Sequence, residues 1–279
     1  MAQAFFEPDG DGGYVATELT RGPWDPGHQH AGPPAALVGR ELERLGEGRI
    51  GGPGGPAAQV GRLTYEVLRP VPIGRLTVTG RVERPGRRVE MVSATLSGEE
   101  GEALMLARGW RLRTEAVGFE RPPGFPDPPP GPEAGKQGEF FHTGYDVGYH
   151  AAMDYRFISG AFMEPGPATV WMRPKVPLLP GEEVTPLQRV LVAADSGNGV
   201  SSPLDWRRYL FINVDLSVHL HRMPRGEWVC LDAVTLPEGE GVGFSDTALF
   251  DEDGAIGRAA QTLLVAERSP RSSPSGKSA

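Results

Sequence analysis

Hydrophobic and polar positions alternate along this chain in two periods, and the two periods recur in the same order twice. In the first half, strand-like alternation around Phe5 and over Tyr14 to Leu19 gives way to HQHAGPPAALVGRELERL. There Leu37, Val38, Leu42 and Leu45 fall at helical spacing behind Pro33 and Pro34, which a first helical turn tolerates. The pattern predicts a helix over 33–45. Period-two runs follow at Gln59 to Leu68, Leu76 to Arg84, Arg88 to Ser97 and Ala103 to Leu112, separated by short Pro/Gly turns, which is the spacing of an antiparallel meander.

The second half repeats the order. Strand-like runs at Tyr155 to Ala161 and Thr169 to Arg173 precede TPLQRVLVAAD, where Thr185 can cap and Pro186 can take the first helical position. Leu187, Val190, Leu191 and Ala194 then form an apolar stripe. Strands are predicted over 211–220, 227–234, 243–250 and 255–265. Superposing LTYEVLRPVPIGRLTV on DLSVHLHRMPRGEWVC sets Pro72 on Pro224 and Leu63 on Asp215, and the later repeat sets Ala107 near Gln261. Strand, helix and four-stranded meander, twice over, predict an α+β chain in which an antiparallel sheet wraps one helix in each half. The proline-dense stretch 121–138 reads as an extended connector. It divides an N-terminal domain, 1–120, from a C-terminal one, 139–268, and the polar tail 269–279 is expected to be disordered.

Composition narrows the function. A net charge of -8 without a dense Lys/Arg run argues against a nucleic-acid partner. The absence of a basic leader or a long apolar run points to a cytoplasmic protein without a membrane partner. Cys230 is the single cysteine, so no internal disulfide or thiolate-rich metal site can form. His219 and His221 lack further ligands around them, and no metal site is expected.

The chemistry concentrates in 211–228. If this run is a regular strand, Ile212, Val214, Leu216, Val218 and Leu220 make an aliphatic face, and Asp215 lies opposite with Phe211, Asn213 and Ser217. One carboxylate thereby looks toward a site, an interface or water.

These segments resemble a known family. HAGPPAALVGREL, LTYEVLRPVPIGRLTVTGRVERPGR, VDLSVHLHR and GAIGRAAQTLLVAER are similar to segments of the acyl-CoA thioesterase II family, whose fold is a tandem (double) hot-dog. The resemblance implies a cofactor-free hydrolase of lipid metabolism that cleaves acyl-CoA with water, and an intrachain pseudo-dimer that can associate further. It places Asp215 and Gln261 at the family's catalytic aspartate and glutamine. The family's third polar position, a hydroxyl, falls by count on Leu236, and a bulge would be needed to turn the adjacent Thr235 inward. His30, Gly32 and Gln188 are expected at the substrate, with backbone N–H groups of a helix first turn at the oxyanion. Two other readings are a non-catalytic acyl-CoA or acyl-pantetheine binder, favoured if Asp215 and Gln261 face different surfaces, and an enoyl-CoA hydratase. VAADSGNG, 192–199, loosely resembles the hydratase signature but lacks its histidine.

Overall fold

The computed structural model describes residues 3–120, 122–140 and 143–268, so the tail expected to be disordered lies outside the described residues. Among the described residues, fourteen strands form one antiparallel sheet. In chain order they are β1 (Phe6–Asp9), β2 (Gly13–Ala16), β3 (Ala58–Val67), β4 (Arg75–Arg84), β5 (Val89–Ser97), β6 (Ala103–Arg113), β7 (Lys136–Gln137), β8 (Met153–Ser159), β9 (Ala168–Pro174), β10 (Tyr209–Asn213), β11 (Asp215–Leu220), β12 (Val229–Pro237), β13 (Val242–Asp251) and β14 (Gly254–Glu267). Their order across the sheet is β1-β2-β4-β5-β6-β3-β11-β14-β13-β12-β9-β8-β7, with β10 paired to β14. The halves join at β3 and β11, where Leu63 faces Val218 and Glu66 faces Asp215. The connector contributes β7, a two-residue edge strand on β8, and the Pro130 carbonyl accepts from the Trp171 indole at 2.7 Å.

Two main helices, α1 (Gly32–Arg44) and α3 (Pro186–Ala194), pack on each other. Between and after them come two short turns of helix, α2 (Tyr149–Ala152) and α4 (Gly197–Val200). α1 also lies on β4 and β5, and α3 on β9 and β12. Leu37, Val38 and Leu42 are fully buried, each worth about 1.5–3 kcal/mol by transfer. α3 starts as its sequence predicts: Thr185 caps the Gln188 N–H, and the Gln188 side chain accepts from the Thr185 N–H. The helices approach closely because glycine allows it. A Cβ on Gly39 would stand 2.3 Å from Leu191 Cδ1, and one on Gly32 would stand 2.2 Å from the Val192 carbonyl oxygen.

The strand expected over 211–220 is broken by one residue. Asn213 faces Leu263 and Ser217 faces Ala260, so four steps on β10–β11 answer three on β14. This bulge at Val214 and Asp215 exchanges the faces of the strand. Phe211 and Asn213 point inward before it and Leu216, Val218 and Leu220 after it, while Asp215 turns outward. β3 carries the same irregularity against β6, with Val60 facing Arg111 and Arg62 facing Trp110. Aligning the two bulges corrects the repeat: Val60 answers Asn213, Leu63 answers Leu216 rather than Asp215, and Gly109 rather than Ala107 answers Gln261.

Candidate active site

Four elements bring polar side chains together beneath the C-terminal end of α3. Asp195, which follows α3, is nearly buried at 6% exposure. Its Oδ1 accepts from Asn213 Nδ2 at 2.9 Å, from the inward end of β10, and from Gln261 Nε2 at 3.2 Å, from the middle of β14. Gln261 Nε2 also reaches the Asp195 carbonyl at 3.2 Å, and its Oε1 accepts from the Asn198 N–H of α4 at 3.2 Å. Both amides are thus fixed in orientation by what they must donate and accept. Asp195 Oδ2 stands 3.2 Å from Nδ1 of His30, which the first half supplies just ahead of α1.

A polar rung supports this set. Thr235, Ser245 and Gln261 lie in direct register on β12, β13 and β14, all buried. Thr235 Oγ1 meets Ser201 Oγ at 2.8 Å, and Ser201 in turn donates to the Gly197 carbonyl at 2.8 Å, which ties α4 to the sheet. Gly197 is pressed so close that a Cβ there would stand 2.5 Å from Thr247 Oγ1. No larger residue fits without moving the turn whose Asn198 N–H orients Gln261.

Asp195, Ser196, Asn198 and Asn213 line a cavity of about 450 Å³ whose walls come from both halves. Trp24, His30, Val67 and Leu68 contribute from the first half, and Tyr149, Tyr155, Phe162 and Phe211 from the second. The lining is mostly apolar, with the carboxylate and amides at one end, which suits a chain with a single polar junction. Arg69, exposed, stands at the rim.

The residues expected from sequence separate. Gln261 is in the cluster, but Asp215 is not: on the outer face of the sheet, its Oδ1 accepts from the Thr262 N–H at 2.5 Å. The two face opposite sides because of the bulge, and Asp195 is the carboxylate that stands with Gln261. Thr235 points inward in an unbroken β12–β13 register while Leu236 is 55% exposed, so no bulge is needed there; its contact is with Ser201. Gln188 is spent in the cap at the opposite end of α3, seven residues or about 10 Å of helix from Asp195. The first turn of α1 has no N–H to spare for an oxyanion. Pro33 and Pro34 have none, Ala35 donates to the Ala31 carbonyl, and Gly32 donates to His30 Nδ1 at 3.1 Å. Asn213 and Asp195 escaped the sequence reading. Asp195 had two signals: it lies in the segment 192–199 that resembles the hydratase signature, and it is an acid directly after an apolar helical stripe, where the helix dipole disfavours negative charge.

His30 is clamped. Its ring stacks on Tyr149 with centroids 3.8 Å apart and planes 10° from parallel. Burial lowers its pKa below the usual histidine value, and the Asp195 carboxylate offsets only part of that. Burial pushes the Tyr149 phenol well up, against a smaller opposing effect of the Ser196 hydroxyl, so it stays protonated and donates to the Val192 carbonyl at 2.7 Å.

The fold, an extended antiparallel sheet with two packed helices, is shared with solved structures. A protein of unknown function with hot-dog fold from Alicyclobacillus acidocaldarius superposes with a TM-score of 0.68 at 14% identity, over 94% of this chain and 96% of that one. A tesB protein of Mycobacterium avium subs paratuberculosis gives 0.62 at 17% identity over 94% and 95%. Acyl-CoA thioesterase II TesB2 of Mycobacterium marinum gives 0.61 at 16% identity over 96% of each chain. No curated protein matches the chain in sequence. The acyl-CoA thioesterase N-terminal domain matches residues 20–112 and the C-terminal domain matches residues 120–265. The chain belongs to the acyl-CoA thioesterase family and is a thioester hydrolase. Among the described residues no helix is long and apolar enough to cross a membrane.

Proposed function

We propose that the cavity takes the acyl group of an acyl-CoA and that Asp195 is the general base for its hydrolysis. The observation that carries this is the Asp195 carboxylate at the cavity wall, with Oδ1 held by the Asn213 and Gln261 amides. Both donors fix the carboxylate in place, where it can take a proton from water lying against the thioester carbon. The water oxygen bonds to that carbon, the C–S bond breaks with its electron pair on sulfur, and the thiolate takes up a proton as CoA leaves. Side chains and water suffice for these steps, and no cofactor is invoked. In this reading each half is a hot-dog unit centred on α1 or α3, and Thr235 braces α4 through Ser201. Arg69 at the rim offers a positive charge to the CoA phosphates.

Opposite faces for Asp215 and Gln261 were the arrangement expected of a binder without turnover; the Asp195 carboxylate beside Gln261 is what supports hydrolysis instead. Thiol release from acyl-CoAs of graded chain length tests the proposal. Wild type is expected to turn over at least one of them and Asp195→Asn to lose about 10²-fold or more in kcat. An Asp195→Asn enzyme with unchanged kcat would remove the base assignment.

A further inference from the structure

Beside the cavity lies a second one, of about 250 Å³. Trp24, Phe162, Phe211, Asn198 and Gly199 line both, so single side chains and one turn of backbone stand between the two spaces. The rest of the smaller wall is largely apolar, from Met163, Pro165, Leu204 and Trp206. Met163 is 48% exposed and Trp24 47%, so large apolar surface lies open there. The polar edge carries Glu164 and Asp205 against Arg207, whose guanidinium lies over the Trp206 ring at 5.3 Å. Two carboxylates to one guanidinium disfavour the CoA phosphates, whereas Arg69 at the rim of the larger cavity attracts them. An apolar space that disfavours the nucleotide suits the far end of an acyl chain.

Of the five shared residues, four are tied to other tasks. Asn198 and Gly199 belong to α4, where the Asn198 N–H orients Gln261. Phe211 lies on β10, two residues before Asn213, and packs with Leu263 and Val265. Trp24 lies under the Arg268 guanidinium at 5.2 Å. Phe162 instead stands on the loop between β8 and β9, and its ring packs edge-on against Tyr155 at 4.9 Å, Phe157 at 5.0 Å and Phe140 at 4.6 Å. We propose that Phe162 is the partition that sets the acyl length this enzyme accepts. The inference rests on the larger cavity taking the acyl group and adds which residue limits it. A chain that ends before the Phe162 ring gains apolar contact with every carbon; a longer one must displace the ring or turn back into water, and gains no more.

Fatty acids of graded length probe that limit without turnover. Wild-type affinity should rise about 4-fold per added methylene and then level off where the chain end meets Phe162. Phe162→Ala joins the two cavities, so the rise should continue for about two or more further carbons, and the kcat/KM profile over acyl-CoAs should lengthen in step. Phe162→Leu, a milder truncation, should move the limit by less. Leu204→Trp, which fills the smaller cavity from its other side, should cancel the gain when combined with Phe162→Ala. An unchanged limit in both Phe162 variants would overturn the proposal, and so would a gain that survives Leu204→Trp, which is the mark of a loosened cavity rather than a joined one. Because binding needs no turnover, a shifted limit in a protein that hydrolyses no acyl-CoA would support the partition and remove the hydrolysis reading. No binding by wild type at any length would overturn both the partition and the acyl site on which it rests.

Discussion

Asn213 Nδ2 lies 2.9 Å from Asp195 Oδ1, a bond between the inward tip of β10 and the residue that ends α3. It exists because the bulge at Val214 turns Asn213 in and Asp215 out. Replacing Asn213 by Ala leaves a buried carboxylate short of one donor, and kcat should fall by about 10-fold, from the loss of a bond to a charged group worth about 1.5–3 kcal/mol. Asp215→Asn keeps an acceptor for the Thr262 N–H and should leave kcat within about 2-fold, since this carboxyl lies on the outer face of the sheet, away from the cavity. Steady-state kinetics on both variants checks the assignment, and a large kcat loss confined to Asp215→Asn would reverse it.

Gly197→Ala should cost about 1–3 kcal/mol in unfolding free energy, because its Cβ would stand 2.5 Å from Thr247 Oγ1, and should lower kcat as α4 shifts off Gln261. Thr247→Ala removes the obstructing oxygen. In the double variant most of both losses should be regained, which a denaturation series and kinetics would read together. Additive losses would place the strain elsewhere.

In the first half, Arg111 donates to the Leu42 and Leu45 carbonyls at the C-terminal end of α1 and pairs with Glu90, which Arg49 also contacts. Arg111 and Glu90 are 1% and 0% exposed. Burial alone would raise the Glu90 carboxyl, and the Arg49 and Arg111 guanidiniums more than offset it, so its pKa is lowered in the folded state. The unfolded chain therefore takes the proton first as pH falls. The Glu90 contribution is fully present above the unfolded value of about 4.3 and is lost as pH drops through the lower folded value. Glu90→Gln should destabilise by about 3–5 kcal/mol at pH 7 and flatten that acid dependence, leaving the pH profile of turnover unmoved. Unfolding curves from pH 7 to 3 test it.

Arg69→Ala should raise KM for acyl-CoA several-fold and spare kcat. The same acyl group on a pantetheine without the nucleotide should show no change. Equal effects on both thioesters would dissociate Arg69 from the CoA phosphates.

Much of the architecture was legible in hydrophobic period, because α1 and α3 each carry a stripe behind a proline at the helix start, and β4, β5 and β6 pair in succession as a meander; β3, expected beside β4, pairs with β6 instead. Of the residues gathered in the candidate site, Gln261 and His30 were expected from sequence, whereas Asp195 and Asn213 were not. A one-residue bulge leaves no mark in composition: Asn213, Val214 and Asp215 read as continuous alternation, yet the bulge decides which of the two polar residues enters the cavity. Thr235 is a different case: the register of β12 is unbroken, and counting from Trp228 lands on the outward Leu236 while Thr235 faces inward without a bulge. Asp195 stands 66 residues from Gln261, and only the packing of α3 on β9 and β12 and of α4 on β14 brings them to 3.2 Å.

The cavity draws its walls from both halves, and His30 and Asp195 meet across the seam. Chain continuity between 113 and 131 contributes nothing to that meeting beyond tethering. Expressed as two polypeptides cut in that stretch, neither piece would hold the complete cavity, and turnover should appear only as the pieces find each other. Its rate would titrate with their concentration, so the duplicated chain amounts to a heterodimer whose subunits are held at high effective concentration.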